Sequence, residues 1–274
     1  MEPMYAKLDH VRQIVRSLAR VAVAYSGGVD SALLLKVAAT ELGSNAIALT
    51  AVSPSLPAAE KEAAERIARE IGAQQAFIFS REMEDSRYLA NNPDRCFFCK
   101  NEVYSELIAY AQAHGYRALL DGANADDSGD HRPGQRAAAK HGVRSPLLEA
   151  GLTKSEIRSL ARELGLSNWN KPAAACLSSR IPYGEAITLE ALTQVERAEA
   201  ALHSLGFGQL RVRRHGQIAR IEVETAAIPE VIRQRETITE TLQSLGFTYV
   251  ALDLQGFRSG SLNESWQKAG VKTP

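Results

Sequence analysis

The stretch "VAVAYSGGVDSALLL", residues 21 to 35, leaves the chain few choices of fold. Val21 to Tyr25 reads as a short buried strand, Ser26-Gly27-Gly28 as a tight turn without Cβ obstruction, and Asp30-Ser31 as the opening of an apolar helix. A strand joined to a helix through two glycines is the starting unit of a parallel sheet covered by helices. The same unit presents free N–H groups, the positive end of a helix dipole and serine hydroxyls to an anion. A plain strand-to-helix joint would look alike as a turn, so the turn alone does not assign a ligand. The spacing and lysine of GxxxxGK[ST] are missing, which disfavours γ-phosphate transfer.

The rest of the first half continues the alternation. Leu8, Val11, Val15 and Leu18 make one helical face, a helix from about Asp30 to Leu42 stops before Gly43, and further helices are predicted over 58–71 and 100–114. Strands are predicted over 46–52, 75–79 and 118–121, which makes the fold class α/β, a Rossmann-like parallel sheet. "TKSE", Thr153 to Glu156, is a capping box before a last helix that ends at Gly165. "LSNWNKPAAACLSSRIPYGE" from Leu166 has little periodicity and many turn residues, as an active-site loop or linker would. Beyond it "LHSLGFGQLRV" and "LQSLGFTYVAL" recur 40 residues apart, each the end of a helix, a glycine cap and a strand. The expected domains are 1–170, a loop over 171–187, and a smaller α+β domain over 188–274 of order helix, strand, strand, helix, strand.

Charge narrows the partners. Lys plus Arg and Asp plus Glu both total 32, so the net charge is zero and a long nucleic acid is not an expected partner. The longest apolar runs, such as 46–52, fall far short of the roughly 18 residues a membrane span needs, and "MEPMYAKLDH" lacks the pattern of a signal peptide; a cytoplasmic protein is expected.

The three cysteines lie at Cys96, Cys99 and Cys176. "RCFFCK" spaces two thiolates so that both can reach one metal. With Cys176 they match three irons of a [4Fe-4S] cubane; with Cys176 and one of His114, His131 or His141 they match zinc. A redox pair and simple packing beside Phe97 and Phe98 remain open readings. Cys176 itself sits between Lys171 and Arg180, whose charges would favour a thiolate nucleophile. In "LRVRRHG", Arg211 and Arg213 fall on one strand face and suit a phosphate, although a merely solvated basic strand reads the same way.

The string SGGVDS resembles the pyrophosphate loop of the N-type ATP pyrophosphatases. That resemblance implies that Ser26, Gly27, Gly28, Val29, Asp30 and Ser31 cradle the pyrophosphate of ATP with Mg2+ bridging its oxygens. "DGANADD", with Asn124, Asp126 and Asp127, resembles the second nucleotide motif of the group, its aspartates suited to Mg2+. Taken with "CFFC", "SPLLEAGLTKSEIR", "ACLSSRIPYGEAIT" and "RVRRHG", nearly the whole chain looks like the LarE family of sulfur transferases that build the nickel-pincer nucleotide cofactor. The resemblance implies adenylation of a carboxylate of pyridinium-3,5-biscarboxylic acid mononucleotide and replacement of AMP by sulfur. It further implies a substrate phosphate site at Arg211, Arg213 and Arg180, and a homo-oligomer. Simple family members give up the sulfur of a single cysteine matching Cys176, whereas members with three cysteines look like cluster enzymes. Three thiols favour the cluster here, and leave Cys176 as either ligand or donor. Two competing readings are a tRNA-thiolation enzyme, which lacks the basic surface it needs, and a non-catalytic nucleotide or cluster sensor, to which an exposed cysteine would be superfluous.

Overall fold

The apolar face of Leu8, Val11 and Val15 is buried along α1 (Glu2–Leu18), the first element of the computed structural model, which describes residues 2–129, 133–172, 174–258 and 261–263. The chain divides into two compact units, Met1–Glu82 with Cys96–Ala174, and Met83–Arg95 with Ala175–Pro274.

In the first unit, β1 (Val21–Ala24) leads through the glycine turn into α2 (Val29–Leu42), which stops at Gly43 with φ 56°. Then follow β2 (Ala46–Val52), α3 (Ala58–Ile71) and β3 (Gln74–Phe79). After a short helix α4 (Ser86–Leu89) come α5 (Arg95–Ala113), β4 (Ala118–Leu120), α6 (Pro133–Lys140), α7 (Pro146–Glu149) and α8 (Lys154–Glu163). All strand pairs are parallel, in the order β3-β2-β1-β4. β1 therefore has β2 on one side and β4 on the other, and the loops after β1 and β4 leave the same sheet edge next to each other. That reversal of strand order is where parallel sheets open a ligand crevice. α2 is buried from Val29 through most of its length, with Leu33, Leu34 and Leu35 fully enclosed, so the helix carrying the glycine turn is anchored in the core.

α5 starts five residues earlier than the predicted Lys100, at Arg95, so Cys96 and Cys99 stand on its first two turns. "RCFFC" has no amphipathic alternation to reveal a helix; a backbone bond from Arg95 N–H to Asn92 O closes the turn that starts it.

In the second unit, α9 (Leu189–Ser204) precedes β5 (Leu210–His215) and β6 (Ile218–Val223), an antiparallel pair. The second helix of the expected order is broken into α10 (Ile228–Arg233) and α11 (Arg235–Ser244), and β7 (Tyr249–Leu252) then pairs parallel with β6. Both copies of the repeat make one turn, with Gly206 at φ 94° and Gly246 at φ 95°, and with Phe207 and Phe247 in a shared core. α4 and its flanks, residues 83–95, join this unit from the middle of the first, a placement no local pattern announced.

Candidate active site

Two glycines shape the loop after β1. A Cβ on Gly27, whose φ is +73°, would lie 2.7 Å from the Cβ of Ala64 on α3, so both backbone angle and space exclude a side chain. The carbonyl of Gly27 accepts from Asn168 Nδ2 at 3.0 Å. Gly28 caps α2 without any side-chain hydrogen bond, which leaves the helix's first N–H groups for a ligand. Ser31 Oγ donates to Gly28 O at 3.1 Å and tightens the turn. The loop after β4 lies against this helix end: a Cβ on Gly122 would come within 2.8 Å of the Ser31 amide nitrogen.

A cavity of 240 Å³ opens between these loops, lined by Ala24, Ser26, Gly28, Asp30 and Ser31, by Asp121, Gly122, Ala123 and Asp127, and by Lys100 and Tyr104 of α5. Asp121 is held by Tyr104 Oη at 3.0 Å and Ser145 Oγ at 2.6 Å. Burial, and then the Asp121 charge, push the Tyr104 phenol far above its ordinary value, so it stays a donor. Asp30 pairs through Oδ2 with Lys154, while its Oδ1 is buried and has no hydrogen-bond partner. An unpartnered carboxylate oxygen beside a phosphate cradle suits a hard cation such as Mg2+.

Four of the six predicted loop residues line the cavity; Gly27 instead packs on α3, and Val29 is buried in the core. In the second loop Asp127 lines it, whereas Asn124 Oδ1 accepts from the Asp126 N–H at 3.0 Å and Asp126 Oδ2 accepts from the Lys154 N–H at 2.7 Å. Asn124 thus folds the loop on itself, and Asp126 ties it to the start of α8. Lys100, Tyr104 and Lys154 were not singled out from sequence, and Asp121 entered only as the first residue of "DGANADD". The lysine directly after "CFFC" was the one local signal available, and it becomes meaningful only once α5 faces the crevice.

Among the described residues no three His, Cys, Asp or Glu side chains converge where they would hold a metal ion. None of the three cysteines is in a disulfide; Cys96 and Cys176 are exposed and Cys99 is half-buried, so Cys96 is not the small core residue one reading expected. His114 bonds the Tyr110 carbonyl and stacks on that ring, His141 bonds Asn101, and His131 and Ala173 lie outside the described residues.

The cations flanking Cys176 are engaged elsewhere. Lys171 pairs with Glu60 at 2.6 Å. Arg180 is bidentate to Glu199 at 2.9 and 3.0 Å and donates to the carbonyls of Ala175 and Cys176. Arg180 thus braces the cysteine's backbone, contrary to the expectation that it serves the sulfur.

β5 is not a solvated basic strand. Arg213 is 1% exposed, clamped to Glu222 at 2.6 and 3.1 Å and bonded to Ser179 O and Ser261 Oγ. Arg211 is also buried, with its guanidinium 4.7 Å from the Phe257 ring centre. Burial first, and then Arg180 and Arg213, lower its pKa, the signature of a cation in a positive neighbourhood. Arg214, on the opposite strand face, bonds Gln194.

A family model described as asparagine synthase matches residues 8–202. A pyridinium-3,5-bisthiocarboxylic acid mononucleotide synthase of Lactiplantibacillus plantarum is 43% identical over 260 residues, 94% of each chain. This chain belongs to the LarE family. An uncharacterized protein of Synechocystis is 47% identical over 94% of this chain and 97% of its own. Another from Methanocaldococcus jannaschii is 28% identical over 88% and 91%. The first unit is an ATP-binding PP-loop fold, and no helix among the described residues is long and apolar enough to cross a membrane.

Proposed function

We propose that this LarE-family protein adenylates a carboxylate of pyridinium-3,5-biscarboxylic acid mononucleotide with ATP and replaces the AMP by sulfur, in nickel-pincer nucleotide cofactor biosynthesis. The carrying observation is the pairing, on one chain with that named relative, of a pyrophosphate-sized cavity at a helix start and an exposed cysteine beside buried arginines. A substrate carboxylate oxygen attacks the α-phosphorus, the bond to the β-phosphate oxygen breaks, and pyrophosphate leaves. The N–H groups of α2, Ser26, Ser31 and Lys100 take up charge on the departing group. Asp30 and Asp127 would hold Mg2+, which neutralises phosphate charge when bound. A sulfur nucleophile then attacks the acyl carbon, the C–O bond breaks and AMP leaves with the electron pair. A sulfide gives the thiocarboxylate directly, whereas a Cys176 thiolate gives a thioester, from which loss of the Cα proton and cleavage of the Cβ–S bond release the thiocarboxylate and leave dehydroalanine.

Arg211 is the residue we assign to the substrate phosphate, since the donors of Arg213 and Arg180 are largely taken up by Glu222 and Glu199 and their charges add to its field. Three cysteines outside any disulfide match in kind and number the ligands of a [4Fe-4S] cluster with one open iron, and Cys96, Cys99 and Cys176 would hold it. Such a cluster supplies a sulfide at its open iron. The exposed apolar side chains Ile218, Tyr249 and Leu254 near the β7 edge support a homo-oligomer.

Release of AMP and pyrophosphate that depends on the pyridinium substrate tests the reaction; its absence refutes it. Iron and sulfide analysis after anaerobic purification, with intact mass before and after turnover, tests the sulfur source. About four irons per chain and an unchanged mass support the cluster. No iron and a loss of about 34 Da would make Cys176 the donor, its Cβ–S bond broken to leave dehydroalanine.

A further inference from the structure

Residues 83–95 lie between β3 and α5 in sequence, yet their side chains are built into the unit that carries Cys176. Asn91 is fully buried. Its Nδ2 group faces three carbonyl oxygens of the segment after Cys176: Ile181 at 3.2 Å, Pro182 at 2.7 Å and Glu185 at 2.9 Å. Its Oδ1 accepts from Arg95, itself buried, with its guanidinium 5.2 Å from the Tyr183 ring centre. The backbones join as well, Gly184 N–H to Asn91 O at 3.2 Å and Ile187 N–H to Leu89 O at 2.9 Å. Nearer the cysteine, the Tyr88 and Ser178 hydroxyls share a 2.5 Å bond, with both residues buried.

Side-chain chemistry explains why the position is asparagine. One amide can donate to carbonyls on one side and accept from a guanidinium on the other, which no acid and no apolar residue does. The backbone has φ 53°, a left-handed conformation that asparagine tolerates better than most residues. Near Cys176 the loop is also braced by Arg180, which donates to the Ala175 and Cys176 carbonyls, and by Arg213, which donates to Ser179 O; beyond Ile181 the contacts named above come from the 83–95 segment. "LSSRIPYGE" makes one short turn, Leu177–Arg180, capped by Cys176 without a side-chain bond.

We propose that Asn91 is a positioning residue for the sulfur step. With Tyr88 it fixes the backbone from Ser178 to Glu185, and so sets where Cys176 stands; the assignment rests on the sulfur-transfer reading above. It also gives the two cysteine segments a physical connection through the chain: Cys96 follows Arg95 by one peptide bond, and Arg95 is bonded to the residue that holds the Cys176 loop. Sulfur chemistry at Cys176 therefore depends on a segment of sequence some 85 residues away, whereas adenylation, performed by the loops after β1 and β4, does not.

The test is Asn91→Gly in the full chain, because glycine keeps the left-handed backbone and removes only the amide. Single-turnover thiocarboxylate formation should fall about 100-fold, the scale of a reactive group misplaced by about 1 Å. Substrate-dependent pyrophosphate release should stay within about twofold of wild type, and the Gly184 and Ile187 amides should exchange faster with deuterium. Tyr88→Phe, which retains the buried ring and loses only the hydroxyl, should shift the sulfur step in the same direction by less. Equal loss of both half-reactions would make Asn91 merely structural and overturn the proposal. A wild type that adenylates but forms no thiocarboxylate refutes the proposed function and this role with it. A competent wild type with an equally competent Asn91→Gly refutes the positioning role alone.

Discussion

Gly122→Ala adds one methyl group where two nucleotide loops touch. Its Cβ would sit 2.8 Å from the Ser31 amide nitrogen, 3.1 Å from the Asp30 carbonyl carbon and 3.2 Å from the Asp30 Cβ. Two of those atoms are backbone at the start of a helix whose core is fully buried, so they cannot swing aside as a side-chain tip would. Relief requires the loop after β4, or the first turn of α2, to move by about half an ångström, the difference between this approach and ordinary van der Waals contact. Overpacking of this kind costs about 1–3 kcal/mol of stability. Displacement of phosphate donors on that scale should cost the adenylation step about 10- to 100-fold. Gly208→Ala is the control, since its Cβ would meet nothing within 4 Å. Pyrophosphate exchange at saturating ATP, read beside urea unfolding of both variants, separates the effects. Unchanged exchange in Gly122→Ala would refute the inference that the two loops form one rigid phosphate cradle.

Glu222 is 0% exposed and accepts from Arg213, Arg220 and Ser261, so Glu222→Ala strands a buried guanidinium and should destabilise the protein by about 3–5 kcal/mol in urea unfolding; a loss under about 1 kcal/mol would refute the buried-pair account. The capping box of α8 should be acid-sensitive. Burial tends to raise the Glu156 pKa, but the bonds from Lys7 and Thr153 hold it below the usual carboxylate value. Its contribution is therefore complete above the unfolded pKa of about 4.3 and is lost as pH falls through the lower folded value. Thr153→Ala should cost about 1 kcal/mol at neutral pH, and Glu156→Gln should flatten the acid limb of a stability-against-pH curve; an unaltered limb would count against the assignment.

Much of the first unit was legible because its signals are local. The 3.6 period of Leu8, Val11 and Val15, the glycines ending α2 and α8, and the capping box at Thr153 each act within a turn or two of themselves, and each took the form read for it. The parallel sheet followed from the alternation of elements. The start of α5 did not, since a run with two adjacent phenylalanines between two cysteines has no polar face to mark a helix.

Side-chain partnerships at long range were invisible. Lys171 and Arg180 looked available to Cys176 because they are near it in sequence, but Glu60 and Glu199 hold them. Arg211 and Arg213 looked alike as alternate residues of a strand. Only the fold brings Glu222 to one of them and leaves the other over the Phe257 ring.

The sequence by itself thus determined the strands and most of the long helices, the glycine turn that fits a phosphate, and the residue types able to carry sulfur, because covalent geometry and hydrogen bonds within a few residues enforce them. Tertiary structure alone decided which charges are neutralised, that Lys100, Asp121 and Lys154 stand at the phosphate loop, and that Asn91 grips the chain after Cys176. Those outcomes depend on pairings between residues tens of positions apart, and a buried donor or charge takes whichever partner the packed chain brings within reach.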